Sequence, residues 1–226
     1  MKTKNLSPAD VEILLRNGLR ALEIPLADEL ISKLALYATE LHKWNQRMNL
    51  VAKNTPIAES VEKHFLDSLT LLAVIRQYKN DEMSLLDVGT GAGFPGLVLK
   101  TACPELDVTL VEPREKRSIF LKHIIRTLGL SRVAVITSRI EDDSIPRPVE
   151  GYSFITSRAV AEPNTFLPMI GRFAGVHSII ITMLGGREKP APLSAGQSEK
   201  FQLINDHHFI LPISRDQRIL RILKAR

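Results

Sequence analysis

Along the first third of the chain, apolar residues recur at three- and four-residue steps, the spacing that lines one face of a helix. Val11, Leu14, Leu15 and Leu19 form the first stripe, opened by Ser7 as an N-cap and by Pro8 in the first turn. Gly18 is a blemish near that helix's end. A second helix is predicted over about Ala27 to Trp44, carried by Leu30, Leu34, Tyr37, Leu41 and Trp44. A third spans about Ile57 to Gln77, carried by Val61, Phe65, Leu69 and Leu72. Tyr37 and Trp44 share a stripe with leucines, so core packing is expected of them rather than base stacking.

At Met83 the pattern changes to short apolar runs bounded by turn residues, alternating with helical segments. The predicted strands are Ser84–Val88, Val108–Glu112, Ala134–Thr137, Ser153–Thr156 and Val176–Leu184. Between them lie helical patterns at Gly96–Ala102, Glu115–Leu128 and Asn164–Phe173. Such alternation implies βαβ units and a parallel sheet covered on both faces. Two further strand-like runs, His207–Ile213 and Arg218–Ala225, flank the polar turn "SRDQ" and predict a closing antiparallel hairpin. The expected architecture is α/β, with a mostly parallel sheet ending in that hairpin. Residues 1–80 would be a helical extension packed on a core of residues 81–226.

The stretch "LLDVGTGAGFPG", Leu85 to Gly96, joins the first strand to its helix. A loop at the carboxyl edge of a parallel sheet is where ligands of open α/β folds bind. Its glycines admit positive φ and close approach of a ligand to the backbone. Glu112 ends the next strand roughly 20 residues on, where a carboxylate can take both hydroxyls of a ribose. An adenosyl group suits this arrangement, and both S-adenosylmethionine and NAD carry one. Three features favour the former. Asp87 precedes the glycines, where it would repel a pyrophosphate but suits a sulfonium. The loop comes after a long helical region, with too little chain beyond it for a typical substrate domain. The terminal antiparallel pair departs from an all-parallel dinucleotide sheet.

Net charge sharpens the picture. The 226 residues carry a formal charge of +5, which favours an anionic partner, with nucleic acid the commonest. Arg114, Lys116, Arg117, Lys122 and Arg126, with Arg47, Lys53 and Lys63, are candidates for a phosphate-tracking surface. The single cysteine, Cys103, excludes an intrachain disulfide and a cysteine-based zinc site. No apolar run approaches the length of a membrane span and no signal segment opens the chain, so a cytoplasmic protein is expected; a monomer is the expected state.

Five segments in order resemble the bacterial RsmG/GidB family of 16S rRNA guanine-N7 methyltransferases. They are "WNQRMNLVAKN" (Trp44–Asn54), "KHFLDSL" (Lys63–Leu69), "LLDVGTGAGFPGLVL" (Leu85–Leu99), "TLVEPREKRSIFLKHI" (Thr109–Ile124) and "ITSRAVAEP" (Ile155–Pro163). The resemblance implies a class I, Rossmann-like, S-adenosylmethionine-dependent methyltransferase fold with an N-terminal helical extension. It implies a guanine of the 530 loop as target and 16S rRNA or a small-subunit precursor as partner. It also implies cofactor contacts at Gly89, Phe94, Ile140, Glu141 and Arg158, to which the chemistry of the loop adds Asp87, Gly91, Gly93 and Glu112. Guanine N7 has a free lone pair, so no general base is expected. Arg158, Asn49, His64 and Asp67 are the substrate-positioning candidates. For Arg158 the competing reading is a salt bridge to Glu141 or Asp67. For His64 and Asp67 it is a hydrogen-bonded pair pinning the extension to the sheet. Gly185 stands where the family usually has a lysine, leaving Arg187 or Lys189 to supply a cation. An NAD-dependent oxidoreductase and a non-catalytic RNA-binding protein of the same fold are the alternatives.

Overall fold

The computed structural model describes residues 7–52, 55–79, 83–158, 163–186 and 190–226. Seven strands form one sheet: β1 (Ser84–Val88), β2 (Asp107–Val111), β3 (Val133–Ile136), β4 (Tyr152–Arg158), β5 (Ala174–Gly185), β6 (Phe201–Ile210) and β7 (Gln217–Ala225), in the order β3-β2-β1-β4-β5-β7-β6. β1 to β5 run parallel. β7 lies antiparallel to β5, and β6 antiparallel to β7. The order reverses at β1, which has β2 on one side and β4 on the other, and this opens a crevice at their carboxyl ends.

Alternate side chains of the central strands bury into opposite layers. Leu85, Phe154 and Ile181 join a core shared with Val11, Leu15, Leu34 and Leu41 of the first two helices, α1 (Pro8–Ala21) and α2 (Asp28–Met48). Leu86, Ile155 and Ile180 face the other layer, against Phe166, Leu167 and Ile170 of α8 (Pro163–Ile170). The helical extension is therefore one wall of the sheet's own core. Tyr37 is fully buried in it. Gly18 is explained by the same packing, because a Cβ there would collide with Leu66. No helix among the described residues is long and apolar enough to cross a membrane.

The third predicted helix is not continuous. It divides into α3 (Ile57–Ser60), a π-helical stretch Val61–Leu66, α4 (Asp67–Leu69) and α5 (Leu72–Gln77). The Ser68 and Thr70 hydroxyls bond back to the carbonyls of His64 at 2.5 Å and Asp67 at 2.6 Å, competing with the helical ladder. Tertiary partners hold the widened turn. Glu62, 2% exposed, accepts from the Ser214 N–H at 2.9 Å and also from Ile213, in the β6–β7 turn. The hairpin's first strand begins at Phe201, earlier than the apolar run suggested. It is the sheet's outer strand, exposed over most of its length, so it lacks the alternation that marks a half-buried strand. The loop after β1 leads into α6 (Gly96–Ala102), and β2 leads into α7 (Glu115–Thr127).

Candidate active site

A cleft of about 730 Å³ opens at the carboxyl edge of β1, β2 and β4. Its floor is the loop Gly89 to Ala92 with Phe94, its near wall is Glu112 to Arg114 with Arg117, and its far wall is Leu50 to Ala52 with Thr55, His64 and Arg158.

The four glycines of the loop serve two purposes. Gly89 (φ 67°) and Gly91 (φ 61°) face the cleft, and a Cβ on Gly91 would meet nothing nearer than Arg117 Nη1 at 3.7 Å. Gly93 (φ 96°) and Gly96 point inward. A Cβ on Gly93 would strike the Tyr37 hydroxyl, and one on Gly96 would lie 2.6 Å from Asp87 Oδ2. Tyr37 donates its hydroxyl to the Ala92 carbonyl, tying α2 to the loop. Phe94 stacks on Tyr37 at 5.8 Å and on His64 at 4.9 Å, and the bond from Phe94 to Pro95 is cis.

Asp87, expected to face the ligand, lies fully buried beneath the loop. Its Oδ2 accepts from the Thr90 hydroxyl at 2.5 Å and the Gly96 N–H at 2.8 Å. Burial pushes its carboxyl up to about 6 against these hydrogen bonds, which favour the anion. It organises the loop from below and does not line the cleft.

Glu112 is 2% exposed at the end of β2. One carboxylate oxygen accepts from the Gly91 N–H at 3.0 Å and the other from the Arg114 N–H at 2.8 Å, while Arg117 Nη1 lies 3.7 Å away. An ionised carboxylate has about four acceptor sites, so two bonds leave capacity for hydroxyl donors.

Arg158 ends β4. Its Nη1 donates to the Lys63 carbonyl at 3.0 Å and to His64 Nδ1 at 3.1 Å, and its guanidinium sits 5.0 Å from the Phe94 ring centroid. Burial and then the neighbouring Arg158 charge push His64 down to about 3, so its ring is neutral near pH 7 and its Nδ1 lone pair receives the arginine. No ion pair of Arg158 with Asp67 or Glu141 occurs among the described residues, so the competing salt-bridge reading is not observed. Nor do His64 and Asp67 bond each other. Each pins the helical layer separately, His64 to Arg158 and Asp67 to Arg218 of β7 at 3.5 Å. Burial pushes the Asp67 carboxyl up to about 6, opposed by the Arg158 and Arg218 charges.

Of the other predicted residues, Arg114 and Lys63 line the cleft, and the remaining described ones lie outside its lining. Asn49 is the exposed left-handed C-cap of α2. Ile140 is buried, and Glu141 exposed, in the loop after β3. Arg114, Lys116, Lys122, Arg126 and Arg47 are exposed, whereas Lys63 is paired with Glu59 at 2.8 Å. Gly185 ends β5, and Lys53, Arg187 and Lys189 fall outside the described residues. Asn45 was not foreseen. Its Oδ1 accepts from the Val51 N–H at 2.9 Å, which sets the wall formed by residues 50–52. The quoted "WN" held it in plain sight, but nothing in the sequence gave the side chain a partner.

The sheet order and the cleft at its switch point define a Rossmann-like methyltransferase fold. Solved structures agree: an Aquifex aeolicus SAM-dependent methyltransferase aligns with a TM-score of 0.50 at 19% identity, covering 72% of this chain and 92% of that one. Coclaurine N-methyltransferase, bound to N-methylheliamine and SAH, aligns at 0.51 and 14% identity over 91% of this chain and 76% of that one. Sequence relatives are more specific. The "ribosomal RNA small subunit methyltransferase G" of Desulfotalea psychrophila is 41% identical over 93% of this chain and 96% of its own length. The protein of that name from Anaeromyxobacter sp. is 34% identical over 94% and 96%. The profile of GidB, rRNA small subunit methyltransferase G, matches residues 30–213, and the chain belongs to that family. It is thus an enzyme of the methyltransferase class, and the oxidoreductase alternative falls away.

Proposed function

We propose that this protein methylates N7 of a guanine in the 530 loop of 16S rRNA, using S-adenosylmethionine bound across the loop after β1. One observation carries the reading: a single cleft brings bare loop backbone, the Glu112 carboxylate and the Arg158 guanidinium to the switch point of the sheet. The residues fit the cofactor. Gly91 offers backbone with open space where a side chain would stand, and Glu112 keeps acceptor capacity for two ribose hydroxyls. In this reading Ile140 and Glu141, in the loop after β3, are the candidates for the adenine edge.

The cofactor supplies an electrophilic methyl on a good leaving group. The chain's own residues then need only align and shield. Guanine N7 loses no proton, and the cleft matches that need, because the Nδ1 lone pair of His64 is already committed to Arg158. In this reading Arg158, held by Phe94 and two acceptors at the cleft wall, is the residue that holds guanine O6. Positioning of this kind is worth effective molarities of up to about 10⁵–10⁸ M.

The test incubates the protein with methyl-labelled cofactor and unmodified small-subunit rRNA and digests the product to nucleosides. N7-methylguanosine is the expected product. Label on another base, or none on RNA, defeats the assignment. Arg158→Lys keeps a charge but loses the planar fork, and the rate is expected to fall about 10²-fold or more with cofactor affinity changed far less.

A further inference from the structure

The last turns of α2 carry a second cavity, of about 480 Å³, that the methyl-transfer reading does not use. It is lined by Lys43, Trp44, Gln46, Arg47 and Met48. Trp44 packs its ring against Phe120 at 5.6 Å and His123 at 4.8 Å of α7, yet stays partly exposed, unlike the buried Tyr37 two turns earlier. The expectation of plain core packing thus covers only part of its surface. The two cavities adjoin along the chain. Met48 lines this one and Leu50 lines the cofactor cleft, and α7 contributes Arg117 to the cleft while its His123 touches Trp44.

The chemistry of the cavity suits one kind of occupant. Trp44 and Met48 offer a polarisable apolar surface, Gln46 an amide that both donates and accepts, and Lys43 and Arg47 positive charge. The only acid bonded to this group among the described residues is Glu40, which bridges Lys43 at 2.7 Å and His123 at 2.8 Å. Lys116, one turn before Phe120 on α7, is a further exposed cation. Aromatic surface interleaved with basic residues is how proteins hold unpaired nucleotides, by stacking a base and pairing its phosphate.

We propose that this cavity receives a splayed-out base of the RNA strand next to the target guanine, stacked on Trp44, with Arg47 on the flanking phosphate. The inference rests on the rRNA reading above. It gives the enzyme a second grip on the strand, so that guanine enters the cleft from a strand already held at the end of α2.

The chain has one tryptophan, so its fluorescence reports this cavity alone. The full-length protein is titrated with an unmodified RNA oligonucleotide bearing the target loop and with the same oligonucleotide made abasic beside the guanine. Quenching of Trp44 by the first and markedly less by the second is expected. Equal quenching, or none, overturns the proposal. Arg47→Glu and Trp44→Leu should each raise KM for RNA about tenfold, with kcat and cofactor affinity unchanged. Arg47→Glu is a surface change that keeps the test valid should Trp44→Leu misfold. Unchanged KM in Arg47→Glu also counts against it. Absence of label in RNA from the wild-type protein would defeat the rRNA reading itself, whereas label in RNA with an unquenched tryptophan defeats only the Trp44 subsite.

Discussion

Two glycines only two residues apart in one loop are bare for different reasons, and substitution separates them. Gly93→Ala drives a methyl group into the Tyr37 hydroxyl at a positive φ, so it should cost about 1–3 kcal/mol or more, read as a fall in melting temperature. Gly91→Ala meets open cleft instead. It should fold with a loss of only about 1 kcal/mol from its positive φ, while calorimetric binding of the cofactor weakens at least tenfold. At the same scale, His64 makes a pH prediction. Its folded pKa of about 3 lies below the ordinary 6.5, so its contribution is full above pH 6.5 and is lost as pH falls toward 3. Denaturant melts should show the wild type's margin over His64→Gln shrinking across that window. The sequence revealed which residue types gather here, because Gly, Glu and Arg at strand ends carry their chemistry in their spacing. It did not reveal that Asp87 faces down into the loop. One-dimensional spacing places a residue at an edge but not on a side of it.

At the scale of elements, the parallel strands were legible almost residue for residue. β1 and α6 match their expected bounds, because apolar runs bounded by glycines and helical stripes each have a strong period. The segment 57–77 was not. Its apolar stripe is compatible with one smooth helix, and the π-helical turn is selected by polar side chains whose partners lie more than ninety residues away, such as Arg158 for His64. Glu62 is the most consequential of these. Glu62→Ala removes the acceptor for two turn amides at positions 213 and 214 and should destabilise by about 1–3 kcal/mol. Hydrogen exchange should speed up first at those amides. If protection there is unchanged, the clamp is not what holds the turn.

For the whole molecule, the basic excess resolves into paired and exposed charges. Lys63 and Arg117 spend theirs on Glu59 and Glu112, whereas Arg114, Lys116, Lys122 and Arg126 lie exposed on α7 and its approach. RNA affinity should therefore fall linearly with the logarithm of salt concentration, and each charge reversal at Lys122 or Arg126 should flatten that slope by about 0.7. Charge reversal at Lys63 should flatten it far less. The composition foretold an anionic partner but could not say which cations were already neutralised, since that depends on neighbours brought together by the fold.

The strand order has a bearing on biosynthesis. β5 pairs with β7, which follows β6 in the chain, so the outer edge of β5 has no strand beside it until Gln217 and the residues after it have been made. During that interval the nascent protein presents the apolar ribbon Ile179 to Leu184 with an open row of peptide groups, the kind of surface on which chains stick to one another. Ribosome-bound chains halted before Gln217 should be chaperone-dependent and aggregation-prone, and the hazard should vanish once β7 is free to slot into place.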